Sequence, residues 1–94
     1  MKDDLKEKLK RYYVMIGQRL RKLRLVNNIK QRHISMIFGI DRSAYSNYEL
    51  GRNTVHCYYL REFCNFYKIP MDILTSHNDI KFDEFFDSWK KSHL

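Results

Sequence analysis

The sequence predicts an all-α protein, and three observations carry that expectation. From Leu5 to Leu23, apolar residues fall at positions 5, 9, 13, 16, 20 and 23, in steps of three and four that draw one helix face. The stretch Gln31–Gly51 reads as two short helices joined by a tight turn, with Gly39 between them. Near the end of the chain Phe82, Phe85, Phe86 and Trp89 lie on a single helical stripe among Lys and Asp/Glu residues.

The first helix is expected over residues 3–26. Gly17 lies inside it, at a cost of about 1 kcal/mol relative to alanine. The apolar period passes through Gly17 unbroken, so one continuous helix is expected. Lys6, Lys10, Arg21 and Lys22 fall off the stripe. Asn27 and Asn28 end the helix, because asparagine tolerates the left-handed position past a helix terminus. In the second helix Ile34, Ile37 and Phe38 form an apolar face, and Ser35 is small where two helices must cross. Gly39 permits the sharp reversal, Ile40 anchors the turn, and Asp41 is suited to accept from free N–H groups at the next helix start. There Tyr45 and Tyr48 are expected to point inward, leaving Arg42, Ser43 and Asn47 outward. A small residue followed four positions later by glycine, with apolar residues at fixed offsets, describes a helix-turn-helix.

Gly51 is placed to end the third helix, residues 52–55 form a loop, and a fourth helix is expected over about 56–68. Leu60, Phe63, Cys64 and Tyr67 make its apolar side. Ile69-Pro70 stops it, since a residue before proline avoids the helical region. Residues 71–74 suit a short fifth helix, and Thr75 to Asp79 a polar hinge. The expected organisation is a helix-turn-helix domain over 1–76, with the motif at 31–51, and a C-terminal amphipathic helix within 77–94.

Residues from about Ile16 to Leu74 resemble the lambda-repressor/Cro-type helix-turn-helix family, a five-helix DNA-binding domain. The resemblance rests on Ile16-Gly17 through Leu23-Arg24, Gln31, Ile34, Phe38-Gly39-Ile40, Arg42-Ser43, Tyr48-Glu49, Gly51, Leu60 and Asp72-Ile73-Leu74, in register without insertion or deletion. It implies a lambda-repressor-like domain, here with an extended first helix and an extra C-terminal helix. The sequence departs from the family pattern at Lys30 for a capping Ser/Thr, Tyr45 for Ile/Val, Leu50 for Asn and Val55 for Pro. By position, the resemblance implies base contacts from Arg42, Ser43, Ala44 and Asn47, the N-terminal part of a helix laid in the major groove. Arg42 suits a guanine and Asn47 an adenine, each bidentately. Phosphate contacts are expected from Gln31, Ser46, Arg52, Asn53 and Arg24, with Tyr45 added only if its ring is partly exposed. Arg24 and Glu49 match a family ion pair that orients the guanidinium; on the surface such a pair contributes about 0–1 kcal/mol.

Composition bounds the partners. Ninety-four residues with 44% hydrophobic and 15% aromatic content fit one globular domain. The net charge of +7 suits a polyanion. Residues 1–32 hold eleven Lys/Arg against three Asp/Glu, 33–76 four against four, and 77–94 three against four. The basic character therefore belongs to the first helical region, where it would supply sequence-independent affinity for phosphates. No run approaches the length of a membrane span and the start is no secretory signal, so a cytoplasmic protein is expected. Cys57 and Cys64 are too far apart on one helix to bond and read as small apolar residues. With His56 they lack the close pairing of a metal site, so neither metal nor cofactor is expected. No phosphate loop or nucleophile motif points to an enzyme.

The function expected is a sequence-specific DNA-binding transcriptional regulator, a repressor bound to double-stranded DNA as a homodimer. Phe82, Phe85, Phe86 and Trp89 form its expected dimer interface, aromatic residues being enriched at interface cores. The competing reading of that stripe folds it back onto its own domain, against Leu5 and Leu9. An alternative of another class is a protein-interaction module, such as an antitoxin, whose C-terminal helix binds a protein partner. No small-molecule ligand is evident.

Overall fold

The computed structural model describes residues 2–93, with side chains from Asp4 to His93. Among these it contains six helices and no strand: α1 (Lys2–Val26), α2 (Gln31–Phe38), α3 (Arg42–Leu50), α4 (Cys57–Tyr67), α5 (Met71–Leu74) and α6 (Asp79–His93). The chain divides into two compact units, Met1–His56 and Cys57–Leu94, so α4 and α5 group with α6.

In the first unit α1 runs through Gly17 without a break and packs on α3. Ile16, Leu20 and Leu23 of its stripe are fully buried, as are Ile34 of α2 and Tyr45 of α3. Gly17 is what lets α1 and α3 approach. A Cβ there would overlap the backbone carbonyl oxygens of Tyr48 and Glu49, which no rotamer change can move. Gly17→Ala is therefore expected to destabilise by ~1–3 kcal/mol, although alanine is the better helix former. A thermal melt followed by circular dichroism checks this, since each kcal/mol lowers Tm by ~4–8 °C. A variant as stable as the parent would show that the two helices do not meet backbone to backbone.

Helix ends follow one pattern. Asn28, Gly39, Gly51 and Lys68 all take positive φ, and the next residue's N–H donates to the carbonyl five positions back: Ile29 to Arg24, Ile40 to Ser35, Arg52 to Asn47, and Ile69 to Cys64. At Gly51 (φ 73°) a side chain would also meet Val14 at 2.6 Å, whereas at Gly39 the space is open and only the φ of 65° disfavours one. The fourth helix thus ends at Tyr67, with Lys68 as its left-handed terminator directly before Ile69-Pro70.

Three local expectations are corrected. Ile37 is 47% exposed and Ile40 half-buried, so the inward face of α2 narrows to Ile34, Ser35 and part of Phe38. Ser35 spends its hydroxyl on the Gln31 carbonyl, which is why a polar residue is accepted there. Asp41 makes no well-formed capping bond to α3, because its carboxylate accepts the Ser43 hydroxyl.

In the second unit Leu60, Phe63, Cys64 and Tyr67 of α4 are buried together with Ile69, Leu74 and Phe82. Burial pushes the Cys64 thiol up to about 11, and its Sγ lies 3.8 Å from Met71 Sδ. Cys57, expected to pack, is exposed at the first residue of α4. Asn78 caps α6 by accepting the Ile80 N–H at 2.9 Å. Phe82 is 1% exposed and stacks on Phe86 at 5.7 Å between ring centroids, so it is enclosed by the chain itself and not offered to a second copy. Phe85, Phe86 and Trp89 are half-buried; Trp89 stacks on His93 at 4.1 Å and Lys90 lies over Phe86 at 5.1 Å. Of the four residues expected at a dimer interface, Phe82 is thus covered by its own chain, while Phe85, Phe86 and Trp89 keep part of their surface. No described helix is long and apolar enough to cross a membrane.

Candidate nucleic-acid interface

α3 is a short helix with one pinned face and one open face. Tyr45 and Glu49, one turn apart, are buried, while Arg42 and Ser43 are exposed in the first turn. Ser46 and Asn47 follow one turn later, at the i+4 positions of Arg42 and Ser43, and are half-buried. Ser43 and Asn47 therefore share the side opposite to the buried contacts, whereas Arg42 and Ser46 lie at its edge, three residues before Tyr45 and Glu49 respectively. Ala44 is half-buried at the edge of this strip, and Arg52 and Asn53 are exposed in the loop beyond Gly51. Tyr45 is fully buried and has no exposed ring to offer a phosphate.

Glu49 is the pin. Its Oε2 accepts Arg24 Nε at 2.6 Å and its Oε1 accepts Arg24 Nη2 at 3.1 Å, a bidentate pair. Gln31 Nε2 donates to the same Oε1 at 3.0 Å, and Arg24 Nη1 donates to the Ile29 carbonyl at 2.8 Å. Three helices thus meet at one carboxylate: α1 through Arg24, α2 through Gln31, and α3 through Glu49 itself. The Arg24 and Glu49 side chains are 9% and 3% exposed, so this is a buried pair and not the surface pair expected. Burial raises the Glu49 pKa, but bonds from Arg24, Tyr45 and Gln31 outweigh it and leave the carboxyl below its ordinary range.

The sequence alone signalled the Arg24–Glu49 pairing but not the Gln31 amide as a further donor. Residues eighteen positions apart on different helices carry no spacing rule. Gln31 and Arg24, expected to face phosphates, have these donors directed at Glu49 and Ile29, and Arg24 is only 7% exposed.

At the opposite edge, Ser43 donates to the Asp41 carboxylate, which is fully exposed. That bond, together with the nearby Ser43 and Ala44 N–H groups and the Arg42 charge, lowers the Asp41 pKa. Among the described residues no three His, Cys, Asp or Glu side chains gather as a metal site would require.

A family model described as a helix-turn-helix domain matches residues 17–79. Searches of curated proteins and of solved structures find no match.

Proposed function

Because the chain belongs to the helix-turn-helix domain family, we propose that it is a sequence-specific DNA-binding transcriptional regulator, a repressor that reads a pseudo-palindromic operator as a homodimer. The observation that carries this reading is the two-sidedness of α3. One face is locked to α1 and α2 through Glu49, and the other carries Ser43 and Asn47, with Arg42 exposed at its edge in the first turn. A rigid helix with that open strip is shaped to enter a major groove, where Arg42 donates to guanine O6 and N7 and Asn47 pairs with adenine N6 and N7. Ala44, at the edge of the strip, meets a thymine methyl.

Gln31, at the first turn of α2, and Ser46, Arg52 and Asn53 around the end of α3 hold phosphates and fix the docking register. Arg24 adds positive charge beneath Gln31 while holding Glu49 in place. The partner is double-stranded DNA, and the chain acts by binding, with no cofactor.

Selection of bound sequences from a random duplex pool at defined salt tests the proposal. Enrichment of a pseudo-palindrome with half-sites one helical turn apart is the expected result. A pool that stays random even at low salt would overturn it.

A further inference from the structure

Two faces of this molecule lie outside the proposed DNA contact, save for Arg52 at the edge of one, and they complement each other. In the first unit the apolar stripe of α1 continues past its buried part into the open: Leu5 is 60% and Leu9 48% exposed. Beside Leu9 an open groove of about 630 Å³ runs between α1 and the end of α3, with Tyr13, Val14 and Leu50 on its walls and Lys10 and Arg52 on its rim. Leu50 is itself 50% exposed, and Lys6 stands one turn ahead of Lys10 on the same side of α1. The groove is thus apolar inside and basic at the edge. It lies at the C-terminal end of α3, away from Arg42.

In the second unit α6 turns its aromatic stripe inward and leaves the opposite face bare. Ile80 is 66% exposed there, and Asp83, Glu84 and Asp87 lie at the i+3, i+4 and i+7 positions from it, all exposed. An apolar knob ringed by three carboxylates is the chemical counterpart of an apolar groove rimmed by lysine and arginine.

We propose that the α1–α3 groove receives α6 of a second copy of this chain. Ile80 enters against Leu9 and Leu50, and Asp83, Glu84 and Asp87 meet Lys6 and Lys10. Each copy carries both halves, and in the proposed two-fold arrangement each copy's α6 enters the other's groove, which closes the dimer. The homodimer invoked above is the premise this rests on; the surface that makes it is assigned here. It replaces the aromatic stripe, whose Phe82 is enclosed by its own chain.

Charge exchange tests the assignment. One variant combines Lys6→Glu with Lys10→Glu, the other Asp83→Lys with Glu84→Lys; all four positions are exposed and none belongs to the proposed DNA contact, and circular dichroism confirms that both variants fold. In sedimentation, the parent is expected at twice the 11.6 kDa chain mass and each variant alone at the single-chain mass. An equimolar mixture is expected to return to twice that mass, because each variant's groove now matches the other's α6. A parent that is a single chain at every concentration, variants that stay dimeric, or a mixture that stays single would each overturn the assignment. So would a parent dimer broken by Phe85→Asp and left intact by the charge reversals. Selection from random duplexes reads DNA recognition separately: a half-site enriched by the charge variants leaves the DNA reading standing whatever the sedimentation shows.

Discussion

Replacing Glu49 with alanine is expected to destabilise the protein by ~3–5 kcal/mol, the penalty for stranding one partner of a buried ion pair. The substitution removes the acceptor of Arg24 Nε and Nη2 and of the Gln31 amide, leaving a guanidinium 9% exposed that has lost its carboxylate partner. It also frees α3 from both neighbouring helices, so the loss reaches the orientation of Arg42 and Asn47. The paired replacement Arg24→Met with Glu49→Leu is expected to be far milder, because two apolar groups need no hydrogen-bond partners. Urea unfolding of the parent, both single variants and the double variant measures the coupling as a double-mutant cycle. A coupling near zero would mean that the carboxylate is exchanged for water and does not pin α3.

The same carboxylate sets an acid limb. Its folded pKa lies below the ordinary 4.5, so the stability it contributes is complete above that value and is lost as pH falls through the folded pKa. Between pH 5 and 3 the parent is expected to lose stability more steeply than the Arg24→Met/Glu49→Leu variant, which lacks the group. Parallel curves would assign the acid limb to other carboxylates.

What was legible in the sequence was mainly what periodicity and punctuation encode. The unbroken period from Leu5 to Leu23 marked α1 as one helix through Gly17, and Asn28, Gly39 and Gly51 stand where helices stop. Lys68 escaped notice as a terminator because lysine is not a usual left-handed residue. Periodicity also marks a face without saying what covers it. Ile37 and Phe82 looked alike as members of apolar stripes, yet one is 47% exposed and the other 1%. Phe82 is therefore enclosed by its own chain, which its place on the stripe did not say. The ion pair was legible through its resemblance, but its burial was not, and burial turns a contact of about 0–1 kcal/mol into one whose disruption costs several.

Replacing Arg42 and Asn47 with alanine is expected to abolish operator-specific retention while leaving the fold intact. Both side chains lie on the open strip of α3 and neither closes a contact that holds the helices together. Each bidentate pair discriminates by about 1–3 kcal/mol, and a two-fold dimer forfeits each pair twice, so the double variant sits at the level of non-specific binding. Ser43→Ala should cost less than either, because the Ser43 hydroxyl is already engaged by Asp41 and must give up that bond to reach DNA. Arg52→Ala should behave differently again, weakening all duplexes alike and reducing the salt slope by about one for each phosphate the protein no longer touches. Gel shifts on the selected operator and on a scrambled duplex, each over a salt series, separate these three outcomes. If the Arg42/Asn47 variant kept the parent's preference for the operator, base reading would have to come from outside α3, and the open strip would be an ordinary solvated helix face.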